Sequence, residues 1–272
     1  MAKPHDPSFT IDAYTSSAVG EVFAVTSNAS LRQEELAEDQ RVFSYARYNE
    51  QAYAPVPLAY IDTSALDAEY PRCLDMPLRL AGDEKYSLPE EWASLRPLLE
   101  QIVAVEQSNN PHWRDYYTYM TVDCKQVEPD EQQRHGGLHV DGFQGERHPV
   151  KHKVTRNYVL TTNGGTRFYP QKFVVVDPQK YNVFQGFDLQ AKDYVIAEEN
   201  VVHFMNAYTV HESGIASRKG LRTFLRVTFD IKEFDRLGNT HNSMLDYAWE
   251  MVGRNVHDTV QTPTLEEIQR IS

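Results

Sequence analysis

The segment Leu221-Arg222-Thr223-Phe224-Leu225-Arg226-Val227-Thr228-Phe229-Asp230 decides how this chain is read. It is rich in β-branched and aromatic residues and alternates along its length. On a strand, Arg222, Phe224, Arg226 and Thr228 share one face. Thr223, Leu225, Val227 and Phe229 share the other. Two arginines turned into a core are costly unless they meet anions. A dicarboxylate held by a bidentate arginine fork would supply such an anion. The plainer alternative is an exposed sheet face with solvated arginines.

Upstream, residues 116–127, 151–162, 166–170, 172–176, 182–187 and 201–204 have the same strand-like composition. Asn163-Gly164-Gly165 between two of them is a tight-turn signal, because Asn and Gly accept positive φ. Many short strands separated by turns argue for a sandwich or barrel. The double-sheet jelly roll is preferred, because the chemistry below needs its open mouth. The expected fold is therefore mainly β with α, a jelly roll with helices packed on it.

The flanks read differently. Residues 31–47 fit a loosely amphipathic helix. Ser87 and Glu90 fit a capping box, with Pro89 in the first turn. Apolar residues then recur at three-to-four spacing to about Gln107, and Pro97 should kink or split that helix. Residues 244–252 are a further helix candidate, and Thr264 opens a short one by capping logic. The expected organisation is a single catalytic domain over 1–272. Residues 1–111 form a mixed, helical support, 112–231 the jelly-roll core, and 232–272 a helical cover.

Composition narrows the function. The 272 residues are 41% hydrophobic and 24% charged, which excludes a disordered chain or a coiled coil. A net charge of −12 argues against nucleic acid or an anionic membrane as partner. No apolar run approaches the ~20 residues of a membrane helix. The first residues lack the apolar stretch of a secretory signal. Cys73 and Cys124 stand far apart with no CxxC, so a reduced, cytoplasmic setting is expected.

His139-Val140-Asp141 places two metal-binding side chains on one face of a strand, free to converge on one ion. His211, at the end of a β-like stretch, supplies a third candidate. Two His and one carboxylate leave positions open, as a non-haem ferrous iron binding a cosubstrate and dioxygen requires. Zinc more usually takes a closed tetrahedral set or keeps one open site. An HxD triplet alone is weak, and a surface His-Asp pair is its ordinary meaning. The two arginines, eleven and fifteen residues after His211, strengthen it.

The order HVD (139–141), NGGTRFYP (163–170), VHESG (210–214) and RTFLRVTFD (222–230) resembles the iron(II)- and 2-oxoglutarate-dependent dioxygenases. The 72 residues from His139 to His211 are similar to the compact prolyl-hydroxylase-like branch. The resemblance covers roughly residues 112–231. It implies a double-stranded β-helix, with Fe(II) held by His139, Asp141 and His211. It implies that Arg222 clamps the distal carboxylate of 2-oxoglutarate. Arg226, with Thr228 two residues on, is placed like the Arg-x-Ser/Thr pair of some members. Arg222 is therefore assigned to the cosubstrate, and Arg226 to the substrate or to support of the site. Arg156, Asn157, Tyr158 or Thr161 would line the site, although the pattern does not fix which face they take; Arg156 and Tyr158 are carried as substrate candidates. Residues 141–149 form a polar loop suited to a lid. His135 is set aside, because its spacing of four from His139 suits a helix.

The implied reaction couples O2 and the oxidative decarboxylation of 2-oxoglutarate to oxidation of an unactivated C–H bond. Succinate and carbon dioxide are released, and the outcome is hydroxylation, desaturation or ring closure. The expected substrate is a small molecule such as an amino acid or natural-product intermediate. The alternatives are the same chemistry on a protein side chain or nucleobase, or a non-enzymatic metal-binding jelly roll.

Overall fold

The computed structural model describes residues 8–9, 43–133, 136–141, 155–253 and 261–271. Alternating, β-rich segments pair into antiparallel sheets. The strands are β1 (Ser8–Phe9), β2 (Val56–Leu58), β3 (Cys73–Arg79), β4 (Tyr86–Ser87), β5 (Tyr117–Val127), β6 (Arg156–Thr161), β7 (Arg167–Phe168), β8 (Val195–Ile196), β9 (Val202–Asn206), β10 (His211–Glu212) and β11 (Gly220–Asp230). One sheet has the order β2-β9-β6-β11-β5-β3, a second the order β10-β7-β8, and β1 pairs with β4. An isolated antiparallel bridge from His139 to His211 sets the HVD segment against the free edge of β10.

The alternation in β11 is resolved as expected. Leu225, Val227 and Phe229 pack with Met120, Val122, Tyr158 and Leu160 beneath helix α2 (Arg96–Asn109). Leu98, Leu99, Ile102 and Val103 of α2 are fully buried against that sheet face. The opposite face, with Arg222, Phe224, Arg226 and Thr228, looks into a cavity. Pro97 does split the helical stretch. A 3₁₀ segment covers Glu90–Leu95, and α2 begins at Arg96 with the proline in its first turn. A second apolar cluster, including Tyr48, Leu138, Val140, Phe187 and Tyr208, covers the outside of the smaller sheet. It draws on helices α1 (Arg47–Glu50) and α3 (Val183–Gln190).

Gly164 turns the chain from β6 toward β7. Its φ is +67°, and a Cβ there would lie 2.2 Å from the Ile215 carbonyl oxygen. Only glycine meets both demands.

Several expectations are corrected. Residues 182–187 are helical, because the Asn182 side chain caps α3 by accepting from the Phe184 and Gln185 amides. Residues 172–176 form no strand; the Val174 amide bonds to the Gln190 side chain instead. Residues 244–252 form no helix. Tyr247 and Trp249 pack with their rings tilted at 46°, and Trp249 packs edge-on to Tyr117. Ser87 lies in β4, and no side-chain cap forms at Pro89. Of the strand expected over 151–162, residues 156–161 form β6, and residues 151–154 lie outside the described residues. Cys73–Arg79, read as part of a mixed support, is an edge strand of the main sheet. The capping box at Thr264 and Glu267 is present and opens helix α4 (Leu265–Gln269). Most of the helix expected over 31–47, His135 and the loop after Asp141 lie outside the described residues.

Candidate metal and cosubstrate site

Strand geometry brings the metal-ligand candidates together. Leu138 and Val140 point into the outer apolar cluster, so His139 and Asp141 point the other way, toward the cavity. Paired backbone bonds of 2.9 Å between His139 and His211 fix the register. The Asp188 carboxylate of α3 accepts from the Leu138 amide at 2.9 Å and holds the segment from its other side. One ligand atom from each of His139, Asp141 and His211 lies within 4.8 Å of the other two.

The imidazoles are oriented for ligation. His139 Nδ1 faces the Gly137 carbonyl at 2.9 Å, and His211 Nδ1 faces the Thr209 carbonyl at the same distance. A carbonyl can only accept, so each Nδ1 is the donor, and in the neutral ring Nε2 then holds the lone pair and points to the site. Burial, joined by His139, pushes the His211 pKa down to about 4 and outweighs the pull of Asp141. His211 is therefore neutral near pH 7, the form that binds metals. Burial raises the Asp141 carboxyl, but Arg226 foremost, then the two histidines, hold it well below the usual range. Two imidazoles, that of His211 buried and neutral, beside an ionised carboxylate suit a divalent ion of intermediate hardness.

The cavity has a volume of about 790 Å³. The two arginines on its wall behave differently. Arg226 Nη1 lies 2.6 Å from Asp141 Oδ1, and its Nη2 lies 2.7 Å from Asp75 Oδ1. Arg222 donates to the carbonyls of Asn163 at 2.5 Å and Gly164 at 3.1 Å, and to the Gln133 side chain. Thr228 donates to Asn157 Oδ1 at 2.8 Å. Asn157 lines the cavity fully buried, and its Nδ2 has no partner among the described residues.

Arg156 and Tyr158 are not brought to this site. They lie on the other face of β6, where Arg156 Nε meets both Glu106 oxygens at 2.8 and 2.9 Å. Tyr158 donates to the same carboxylate at 2.8 Å. An ion pair buried under α2 holds them there. Thr161 bonds the Gly164 carbonyl at 3.4 Å.

Asp75, Gln133 and Asp188 were not found by sequence reasoning. No motif surrounds them, and each acts through a partner distant in the chain. Asn182, the visible cap of α3, was the only local hint that a helix carrying Asp188 stands beside the HVD segment.

No family model and no curated protein sequence matches this chain. Among solved structures it is similar to the non-heme alpha-ketoglutarate-dependent carbocyclase SnoK from nogalamycin biosynthesis. There the identity is 12% and the TM-score 0.41, over 77% of this chain and 85% of that one. EvdO2 from Micromonospora carbonacea var. aurantiaca, complexed with 2-oxoglutarate, matches at 10% identity and TM-score 0.37, over 70% and 93%. The viral collagen prolyl hydroxylase of Paramecium Bursaria Chlorella virus-1 matches at 12% and 0.34, over 53% and 72%.

Proposed function

We propose that this chain is a single catalytic domain with a double-stranded β-helix core, an iron(II)- and 2-oxoglutarate-dependent dioxygenase acting on a small molecule. The observation that carries the reading is the convergence of His139, Asp141 and His211 on the cavity wall, with both imidazole Nδ1 atoms tied to backbone carbonyls. Two nitrogens and one oxygen on one side of an ion suit ferrous iron. When bound, iron and 2-oxoglutarate would supply the oxidation of a C–H bond by O2, with loss of succinate and carbon dioxide.

The chain's own residues bind and orient. His139, Asp141 and His211 would hold the ion. Arg222 would hold the distal carboxylate of 2-oxoglutarate. Its backbone partners fix the guanidinium, while Arg226 is committed to two carboxylates. Arg226 then supports Asp141, the second of the two roles expected for it. Thr228 orients Asn157, whose amide nitrogen, without a partner among the described residues, can donate to an oxygen of cosubstrate or substrate. Phe184 stands edge-on to His139 at 6.4 Å and helps exclude water from the ion.

The cavity volume is that of a small-molecule site, which favours an amino acid or a natural-product intermediate over a polymer. Among the described residues no helix is long and apolar enough to cross a membrane. Both cysteines are free, in keeping with a cytoplasmic setting.

Succinate formation tests the reading. Protein loaded with ferrous iron should convert 2-oxoglutarate to succinate in air, faster with its substrate, and the folded His139→Ala variant should not. Folded, iron-loaded protein that forms no succinate across a panel of amino acids and small polar metabolites would overturn it.

A further inference from the structure

Asp75 is the residue from which a further role follows, and that role rests on the reading of His139, Asp141 and His211 as a metal site. Asp75 sits in edge strand β3 at a register shift between Cys73 and Met76. Its φ is +46°, in the left-handed region that side-chain-bearing residues avoid and that Asp and Asn tolerate best. Such a conformation persists where the surroundings impose it. Here the Asp75 amide donates to Thr121 Oγ1 at 2.9 Å, and that hydroxyl donates back to Asp75 Oδ1 at 3.0 Å. The closed ring fixes a carboxylate that is 3% exposed.

Thr121 stands directly opposite Arg226 in the β5–β11 register. A row therefore crosses three strands from the bulge to the cavity. Arg226 Nη2 meets Asp75 Oδ1 at 2.7 Å, and its Nη1 meets Asp141 Oδ1 at 2.6 Å. The other Asp141 oxygen, Oδ2, lies 3.8 Å from His211 Nε2. One oxygen of Asp141 is thus occupied, and one is left beside the histidines.

We propose that Asp75 is a positioning residue for the metal. Acting through Arg226, it ties one oxygen of Asp141 and presents the other as a single donor beside His139 and His211. It also sets the charge. With Asp75 in place the guanidinium is shared between two carboxylates, and the row keeps one net negative charge for a divalent ion. Without it the guanidinium neutralises Asp141 fully and competes with the ion for its oxygens. A pair serving only to tie β3 to β11 would affect stability and leave metal affinity unchanged.

The test is Co(II) titration of the full chain, followed by the visible absorption of the bound ion, with thermal unfolding of the metal-free protein alongside. Asp75→Asn keeps a residue suited to the left-handed backbone and removes the charge. Asp75→Gly removes the side chain and relieves the backbone. Both should weaken Co(II) binding by about 10- to 100-fold and alter the absorption bands, in folded protein whose metal-free Tm falls by no more than the lost bonds to Arg226 and Thr121 account for. Wild-type affinity and spectrum in both variants would overturn the role of Asp75, as would a fall in Tm with affinity unchanged. Wild-type protein that takes up no Co(II) would instead remove the metal site itself, and the role of Asp75 with it.

Discussion

Arg226 and Asp141 meet at 2.6 Å across the cavity wall, so the guanidinium and the carboxylate facing the histidines act as one unit. The same guanidinium reaches Asp75, and all three groups are withdrawn from solvent. Removing it leaves two carboxylates without their counter-charge. Arg226→Met is expected to cost about 3–5 kcal/mol, the penalty for breaking a buried pair from one side. Added Mn(II) should recover part of the loss, because the ion replaces the missing positive charge. Urea unfolding with and without Mn(II) measures both. A loss below about 1 kcal/mol would show that the carboxylates do not depend on Arg226.

Arg222 carries a different expectation. As the clamp for 2-oxoglutarate it would contribute charge-assisted hydrogen bonds to the distal carboxylate. Arg222→Ala should weaken 2-oxoglutarate binding to Mn(II)-loaded protein by about 10- to 100-fold, and Arg222→Lys by less. Calorimetric titration reads this directly. If Arg222→Ala binds 2-oxoglutarate as the wild type does, and an Arg226 variant that still holds Mn(II) does not, the two arginines exchange roles.

Glu106 separates support from site. It is fully buried and accepts from Arg156, Tyr158 and Asn110. Glu106→Gln removes the counter-charge of Arg156 and is expected to cost about 3–5 kcal/mol. Mn(II) affinity should stay at the wild-type value, because the network lies on the helix side of β6. Unfolding and metal titration of the same preparation check both statements. Weakened Mn(II) binding with the fold intact would place Arg156 and Tyr158 back in the site.

Asp230 makes stability depend on pH. Burial raises its carboxyl from the ordinary 3.8 to about 6, against the bonds from Thr155 and the Lys232 amide. The folded state therefore binds this proton more tightly than the unfolded chain does. The stabilisation is present in full below about pH 4 and is lost as pH rises through about 6. The shift corresponds to roughly 3 kcal/mol. Asp230→Asn, which can keep both hydrogen bonds, should lack this loss. The gap between the two stability curves should narrow or reverse in favour of the variant from pH 4 to pH 7. Parallel curves by urea unfolding would contradict the assignment.

The site was legible where chemistry follows strand period. His139 and Asp141 stand two apart, and Arg222, Arg226 and Thr228 share the parity of β11. Each group could be placed on one face from spacing alone. The parity of β6 was not legible, because every residue of Arg156–Thr161 is buried and both faces carry polar side chains. Arg156 looked like a cavity residue and is instead the counter-ion of Glu106 on α2. The segment 182–187 looked like a strand because Val183, Phe184 and Phe187 favour one, yet the Asn182 cap and tertiary packing made it a helix. Residues 244–252 are held by aromatic contacts to Tyr117 and Tyr119, which no local pattern announces. Asp75 was hidden for the same reason. Its place is set by a bulge and by partners on β5 and β11, and nothing in its neighbours signals either.

The most direct measurement is anaerobic titration of the metal-free protein with ferrous iron and then 2-oxoglutarate, watching for the weak visible charge-transfer band of the chelate. The account predicts that the band appears in the wild type at stoichiometric iron and is lost in folded His211→Ala. Folded, iron-loaded wild-type protein that develops no band on saturation with 2-oxoglutarate would contradict it.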